Sequence, residues 1–294
     1  MKPALILESI QQHQMPDGSF PYQAGEQGRP DSTAWAVIAL SAYARYPETC
    51  ALGRQYLASL QAKDGHISIS GDHARASWPT PLAILAWEDD SSAKRAQELA
   101  VKFLLNFSGL HFPNQDTFVM GHDTSIVGWP WIADTHSWVI PTALAITALQ
   151  VSGLTHHGRI SEGVSLLLNR QLPRGGWNSG NTTVFGKELF PLPECTGIAL
   201  QALAGNTERP RIQRSLNYLL QELPNLRTPI SLGWALLGLG AWGFKPDKTN
   251  DMVAESLNLQ QRHGPYALPS LALLMCAVKA PDGLHSLFSA LPLI

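Results

Sequence analysis

Charge is scarce in this chain. Only 15% of its 294 residues are Asp, Glu, Lys or Arg, and the two signs nearly cancel to a formal net charge of -2. With no basic field and no clustered stripe of Lys and Arg, nothing is available to hold a phosphate backbone, so nucleic acid is not an expected partner. Cysteine is scarcer still: Cys50, Cys195 and Cys276 are odd in number and widely spaced, with no Cys-x-x-Cys. That pattern argues against a disulfide framework and against a structural zinc site, and no metal-ligating residues are assigned. Long apolar runs are missing as well. None approaches the ~18 residues needed to span a bilayer, and residues 1–8 meet a charge too early for a secretory leader. The expectation is a soluble, cytoplasmic protein that does not span a membrane.

What the chain has in quantity is apolar residues, 45% of the total, enough for a large core. It also has a repeat. A glutamine, a short polar gap, a glycine and then a large apolar residue recur at Gln14, Gly18 and Phe20, at Gln61, Gly65 and Ile67, and at Gln171, Gly175 and Trp177. A fourth copy, one residue shorter, runs through Gln261, Gly264 and Tyr266. Each copy closes one apolar helical stretch and precedes another, which predicts a helical hairpin repeated along the chain.

Six such hairpins can be followed. The first helices are expected near residues 4–12, 52–61, 93–106, 160–170, 212–221 and 252–261, amphipathic and hence an outer layer with one wet face. The second helices, near residues 32–44, 80–87, 142–151, 196–204, 230–242 and 270–278, are apolar on every side and belong in a buried inner layer. Ser, Thr or Asp at their starts (Asp31, Thr80, Thr142, Thr196) can cap them, and neighbouring prolines suit a first turn. Six hairpins running in one sense place all inner helices parallel, and a ring of them can close into a two-layered barrel. The expectation is one all-α domain over residues 1–294, a single α6/α6 toroid with a long insert at about 107–138.

Residues 14–20, 137–145, 170–178 and 193–200 resemble the prenyltransferase and squalene oxidase repeats of the terpenoid cyclase and protein prenyltransferase superfamily. The resemblance covers nearly the whole chain and implies an α/α toroid. It leaves activity open, because that superfamily includes triterpene and class II diterpene cyclases, protein prenyltransferase β subunits and thioester domains. Class II cyclases protonate an isoprenoid with the middle acid of an Asp-x-Asp-Asp-Thr-Ala motif. The nearest match here keeps Asp31, Thr33 and Ala34 but has Arg29 and Ser32 where the flanking carboxylates would stand. Both Arg29 and a helix N-terminus favour the ionised form of Asp31, opposite to what a proton donor needs. Prenyltransferases hold zinc with an Asp-x-Cys pair and a later His. Cys195 matches that thiol, but Pro193 stands where the Asp would be, and the last hairpin has no His at the matching helix start. The Gly-Cys-Gly-Glu-Gln of thioester domains is absent.

The insert is the longest interruption of the repeat, and long loops at a barrel mouth commonly carry binding residues. It holds His111, Asp116, His122, Asp123, Trp129, Trp131, Asp134, His136 and Trp138, with carboxylates beside imidazoles that could serve acid-base work. Candidate catalytic residues are therefore Asp31, Asp134, His136 and Glu194. Trp35, Trp78, Trp129, Trp131, Trp138, Trp177 and Trp234, with His122 and Asp123, are candidate ligand-binding residues. Their rings would shelter a cation, line a pocket for a polyprenyl chain or stack on a sugar. The leading expectation is a toroid acting on an isoprenoid or other apolar small molecule. The alternatives are a non-catalytic toroid binding a lipid-like ligand or a protein partner, and a carbohydrate-active toroid enzyme. No sequence feature assigns a cofactor.

Overall fold

A computed structural model of the chain describes residues 3–113 and 121–288. Among the described residues twelve helices alternate between two layers, and one further turn of helix, Gln260–His263, follows the last outer one. The outer ones are α1 (Pro3–Gln12), α3 (Pro47–Ser59), α5 (Lys94–Asn106), α7 (Gly158–Asn169), α9 (Arg209–Glu222) and α11 (Thr249–Asn258). The inner ones are α2 (Pro30–Ala42), α4 (Thr80–Ala86), α6 (Val139–Val151), α8 (Pro193–Leu203), α10 (Pro229–Gly240) and α12 (Leu268–Lys279). Each inner helix packs on the next, and α12 packs back on α2, so the ring is closed. Two small antiparallel ribbons, Phe20–Pro21 with Gly28–Arg29 and Thr183–Val184 with Lys187–Glu188, decorate the connections. The all-α toroid expected from the repeat is what the chain forms.

The two layers follow from side-chain chemistry. In α6 every residue except Ile140 is buried, as a helix apolar on all faces requires. In α5 the buried residues are Gln97, Ala100 and Leu104, spaced three and four apart along one stripe, and the rest of the helix meets water. Proline opens α2, α3, α8 and α10 at the first helical position, where its missing N–H would have had no partner.

The repeated motif is a clamp between successive hairpins. Gln14 Nε2 donates to the Gly18 carbonyl at 3.1 Å and to the Thr49 carbonyl of α3 at 2.8 Å. Gln61 Nε2 repeats this on Gly65 at 2.9 Å and on Ala96 of α5 at 2.8 Å, and Gln171 Nε2 donates to Ser215 Oγ of α9 at 2.7 Å. The motif glycines sit against the same helices. Gly65, at φ 100°, would place a Cβ 2.2 Å from the Leu99 carbonyl oxygen, and Gly175, at φ 99°, would place one 2.5 Å from the Arg214 carbonyl carbon. Only glycine satisfies both the backbone angle and the approach. In the fourth copy the bonded glutamine is Gln260, whose Oε1 accepts the Tyr266 N–H at 2.9 Å, rather than Gln261.

The expected helix caps are not formed. Helices α2, α6 and α8 begin earlier than the hydroxyl-bearing residues suggested, α4 begins at Thr80 itself, and no cap side chain bonds any of the four. Instead, the hydroxyls of Thr33, Thr80, Thr142 and Thr196 accept the N–H of Phe20, Ile67, Trp129 and Trp177 at 2.9 to 3.0 Å. Each bond fastens an inner helix to the connection that precedes it and satisfies a buried backbone donor.

The opposite end of the ring is closed by the helical turn Leu284–Leu287. His285 is buried there, with its Nδ1 accepting from Gln201 Nε2 and its Nε2–H donating to Gln150 Oε1 at 3.0 Å. Gln201 is oriented by accepting the Leu284 N–H at 2.7 Å. Among the described residues no helix is long and apolar enough to cross a membrane.

Candidate functional site

Each outer helix ends, and each inner helix starts, at the same end of the ring. The connections gathered there, which include residues 13–29, 60–79, 107–113, 121–138 and 170–192, form the mouth. Asp31 is the second residue of α2 and is 4% exposed. Arg29 grips it through two bonds, Nε to Oδ1 at 3.0 Å and Nη2 to Oδ2 at 2.8 Å, and lies 4.7 Å over the Tyr22 ring. A bidentate guanidinium pair is among the stronger polar contacts available. Both carboxylate oxygens are committed to it, leaving neither placed to hand a proton to an alkene.

Trp35 lies one turn further along α2, on the face Asp31 occupies. Its ring meets Trp234 of α10 edge-to-face, centroids 5.7 Å apart, and both side chains are 8% exposed. The two helices are not neighbours in the ring, so this pair bridges its interior beneath the mouth. Glu194, second in α8, is half-buried and accepts a bond from Ser231 Oγ at 2.7 Å. Burial, assisted by the charge of Glu194, pushes the adjacent Cys195 thiol up to about 12. A thiol so rarely ionised is a small apolar filler.

The insert spreads its residues over several jobs. Trp129 is buried, donates from Nε1 to the Leu104 carbonyl at 3.0 Å and lies under the Arg159 guanidinium at 4.1 Å. Trp177 is fully buried, with Nε1 bonded to the Leu167 carbonyl at 2.6 Å. Both are packing residues that present no free face to a ligand. Trp78 and Trp131 remain half-buried and meet edge-to-face at 5.4 Å. Asp134 is exposed on a left-handed turn residue, φ 60°, and pairs with Arg75, whereas His136 tilts against Phe112 at 5.5 Å. Asp134 and His136 therefore turn to different partners. Asp123 closes a turn by accepting from Ser125 N at 2.8 Å and Ser125 Oγ at 2.6 Å, and these bonds hold its carboxyl below the ordinary range. His111 is exposed, and Asp116 lies outside the described residues.

Two hollows open at the mouth. A cleft of about 560 Å³ separates the first two connections, walled by Arg29, Tyr56, Ile69 and Gln27. A smaller cavity of about 80 Å³ sits under the insert and brings together His122, His136 and Trp138 with Arg170, Ser137 and Asn181. Tyr56, Arg170 and Asn181 were not legible as site residues, because they come from outer helices and a different connection; the only hint was a lone arginine just ahead of the Gln171 motif. Among the described residues no three His, Cys, Asp or Glu side chains gather to hold a metal.

No protein-family model matches the chain, and no curated protein matches its sequence. Solved structures do match in shape. A protein from Actinoplanes superimposes with a TM-score of 0.63 at 15% identity, covering 95% of this chain and 99% of that one. An α-1,6-mannanase from Salegentibacter sp. HEL1_6 gives 0.62 at 12% identity, over 96% of this chain and 99% of its own. An apo variant of the type II terpene cyclase MstE from Scytonema gives 0.60 at 12% identity, over 97% of each chain. The chain thus has a terpenoid cyclase-like α/α toroid fold. The same fold carries both a glycan-cleaving and a terpene-cyclising enzyme, so activity must be argued from the mouth itself.

Proposed function

We propose that the mouth end of this toroid binds an isoprenoid-like apolar small molecule. The observation that carries the reading is where large apolar side chains are left in water. Leu110, Phe112 and Ile132 on the insert, Phe190 and Leu192 ahead of α8, and Ile230 opening α10 are all exposed, and all belong to the mouth end. Covering a side chain of this size is worth about 1.5–3 kcal/mol, and a concentration of them on one face marks a binding surface. The Trp35 and Trp234 pair floors that end. The cleft of about 560 Å³ beside it falls in the range of roughly 300–1,000 Å³ found for small-molecule sites.

A variant of the cyclase MstE, which has this fold, holds geranylgeranyl dihydroxybenzoate, and that supports the choice of ligand class. The locked pair of Arg29 and Asp31 favours binding over proton-initiated cyclisation. Native mass spectrometry of the full chain with geranylgeraniol tests the reading. A one-to-one complex is expected, and replacing Phe190 and Ile230 together by Ser weakens it at least tenfold. Absence of a complex, or equal uptake by the double variant, would remove the mouth as the site.

A further inference from the structure

Among the described residues, the cavity under the insert holds a cation with no counter-charge. Arg170 follows the last residue of α7 and is 6% exposed. Its Nε has no hydrogen-bond partner, and its Nη2 reaches only the Asp123 carbonyl at 3.4 Å. Among the described residues no carboxylate pairs with it, whereas the less buried Arg29, Arg54 and Arg159 face Asp31, Asp90 and Glu162. Asp123, whose carbonyl Arg170 reaches, commits its carboxylate to Ser125. Burial alone lowers the guanidinium to about 10, with no charged neighbour contributing.

A second group in the same cavity is in the same condition. His122 is 6% exposed, and its Nδ1 has no partner. Ser137, whose Oγ accepts the Gly128 N–H at 3.1 Å, retains its own proton to donate, and the Asn181 amide adds further donors. Among the described residues no acidic side chain lines the space. A desolvated cation and an orphaned ring nitrogen are costly unless something joins them. A volume of about 80 Å³ is roughly that of two to three waters, which suits a tetrahedral oxyanion.

We propose that this cavity is a binding site for a phosphate-like oxyanion, held by the Arg170 fork and by donors from His122, Ser137 and Asn181. The anion is either free in solution or the head of a larger amphiphile. The site rests on the orphaned polar groups and not on the apolar-ligand reading of the mouth, which is tested with a neutral alcohol and survives or fails separately.

Titration calorimetry of the full chain at low ionic strength tests it, with inorganic phosphate in one arm, dodecyl phosphate in another, and sodium chloride as the blank. One saturable site is expected for phosphate. If dodecyl phosphate binds at least tenfold tighter than phosphate, the anion is the head of an amphiphile; equal affinity identifies a free anion. Arg170→Gln weakens phosphate at least tenfold. Asn181→Asp, which supplies Arg170 with an internal carboxylate, does the same while raising the melting temperature in phosphate-free buffer, so loss of binding cannot be put down to misfolding. Absence of saturable uptake by the wild-type chain, or undiminished phosphate affinity in both variants, overturns the proposal.

Discussion

Acidification should loosen the closed end of the ring through one residue. His285 is buried between Gln201 and Gln150, and burial lowers it from 6.5 to about 4. The network is built for the neutral ring. Gln201 must point its NH₂ group at Nδ1 because its oxygen is taken by the Leu284 N–H, so a proton on Nδ1 would set donor against donor. Above about pH 6.5 the residue is neutral in folded and unfolded chains and stability does not depend on it. As pH falls below that value the unfolded chain takes up a proton the folded chain refuses, and stability drops until the folded form titrates near 4. At ~1.4 kcal/mol per unit, the full loss is about 3 kcal/mol, and the share lost between pH 7 and pH 5 is about 2 kcal/mol. Urea unfolding at the two pH values, on wild type and His285→Gln, isolates this share, because every other titrating group is common to both proteins. The variant starts less stable at pH 7 but loses about 2 kcal/mol less on acidification. Equal losses in the two proteins would refute the assignment.

Three further outcomes follow from the clamps and the mouth. Thr196→Val strips the buried Trp177 N–H of its acceptor and should lower unfolding stability by about 1–3 kcal/mol, seen as a reduced urea midpoint with an unchanged slope. Gly175→Ala forces a Cβ to 2.5 Å from the Arg214 carbonyl carbon at φ 99° and should destabilise by at least about 1–3 kcal/mol. Gly186→Ala, where a Cβ would meet open space at φ 74°, serves as its milder control under thermal melting. Arg29→Met leaves the Asp31 carboxylate without its partner. Since the guanidinium is about a third exposed, the loss should be about 2 kcal/mol rather than the 3–5 kcal/mol of a fully buried pair, and adding Asp31→Asn should recover most of it in a double-mutant cycle.

The architecture was legible because the pattern that encodes it is local. Uncharged runs such as residues 142–149 could only be inner helices, and wet-faced ones such as 160–170 could only be outer. The turn motif between them marks where each hairpin reverses. Individual hydroxyls were harder to place. Thr33 and Thr142 look like caps at the edge of an apolar run, yet their helices begin earlier and they bond a connection thirteen residues back. Propensity cannot see that partner, since tertiary packing supplies it. The mouth was the least legible part. Trp129 and Trp177 carry the same letter as Trp35 and Trp234, but their indole N–H groups are tied to outer-helix carbonyls in the core. The oxyanion cavity escaped notice because Arg170 comes from an outer helix end and His122 from the insert, and only folding brings them to one space.

The central claim is that the mouth end, and no other surface, receives an apolar isoprenoid-like molecule. Photocrosslinking with a benzophenone-bearing analogue of geranylgeraniol, followed by peptide mapping, tests it most directly. Adducts are predicted on peptides carrying residues 107–138, 185–192 and 228–234, and competition with unlabelled geranylgeraniol should remove them. Adducts on the outer helices or near residues 284–288, or labelling that geranylgeraniol does not compete away, would contradict the account.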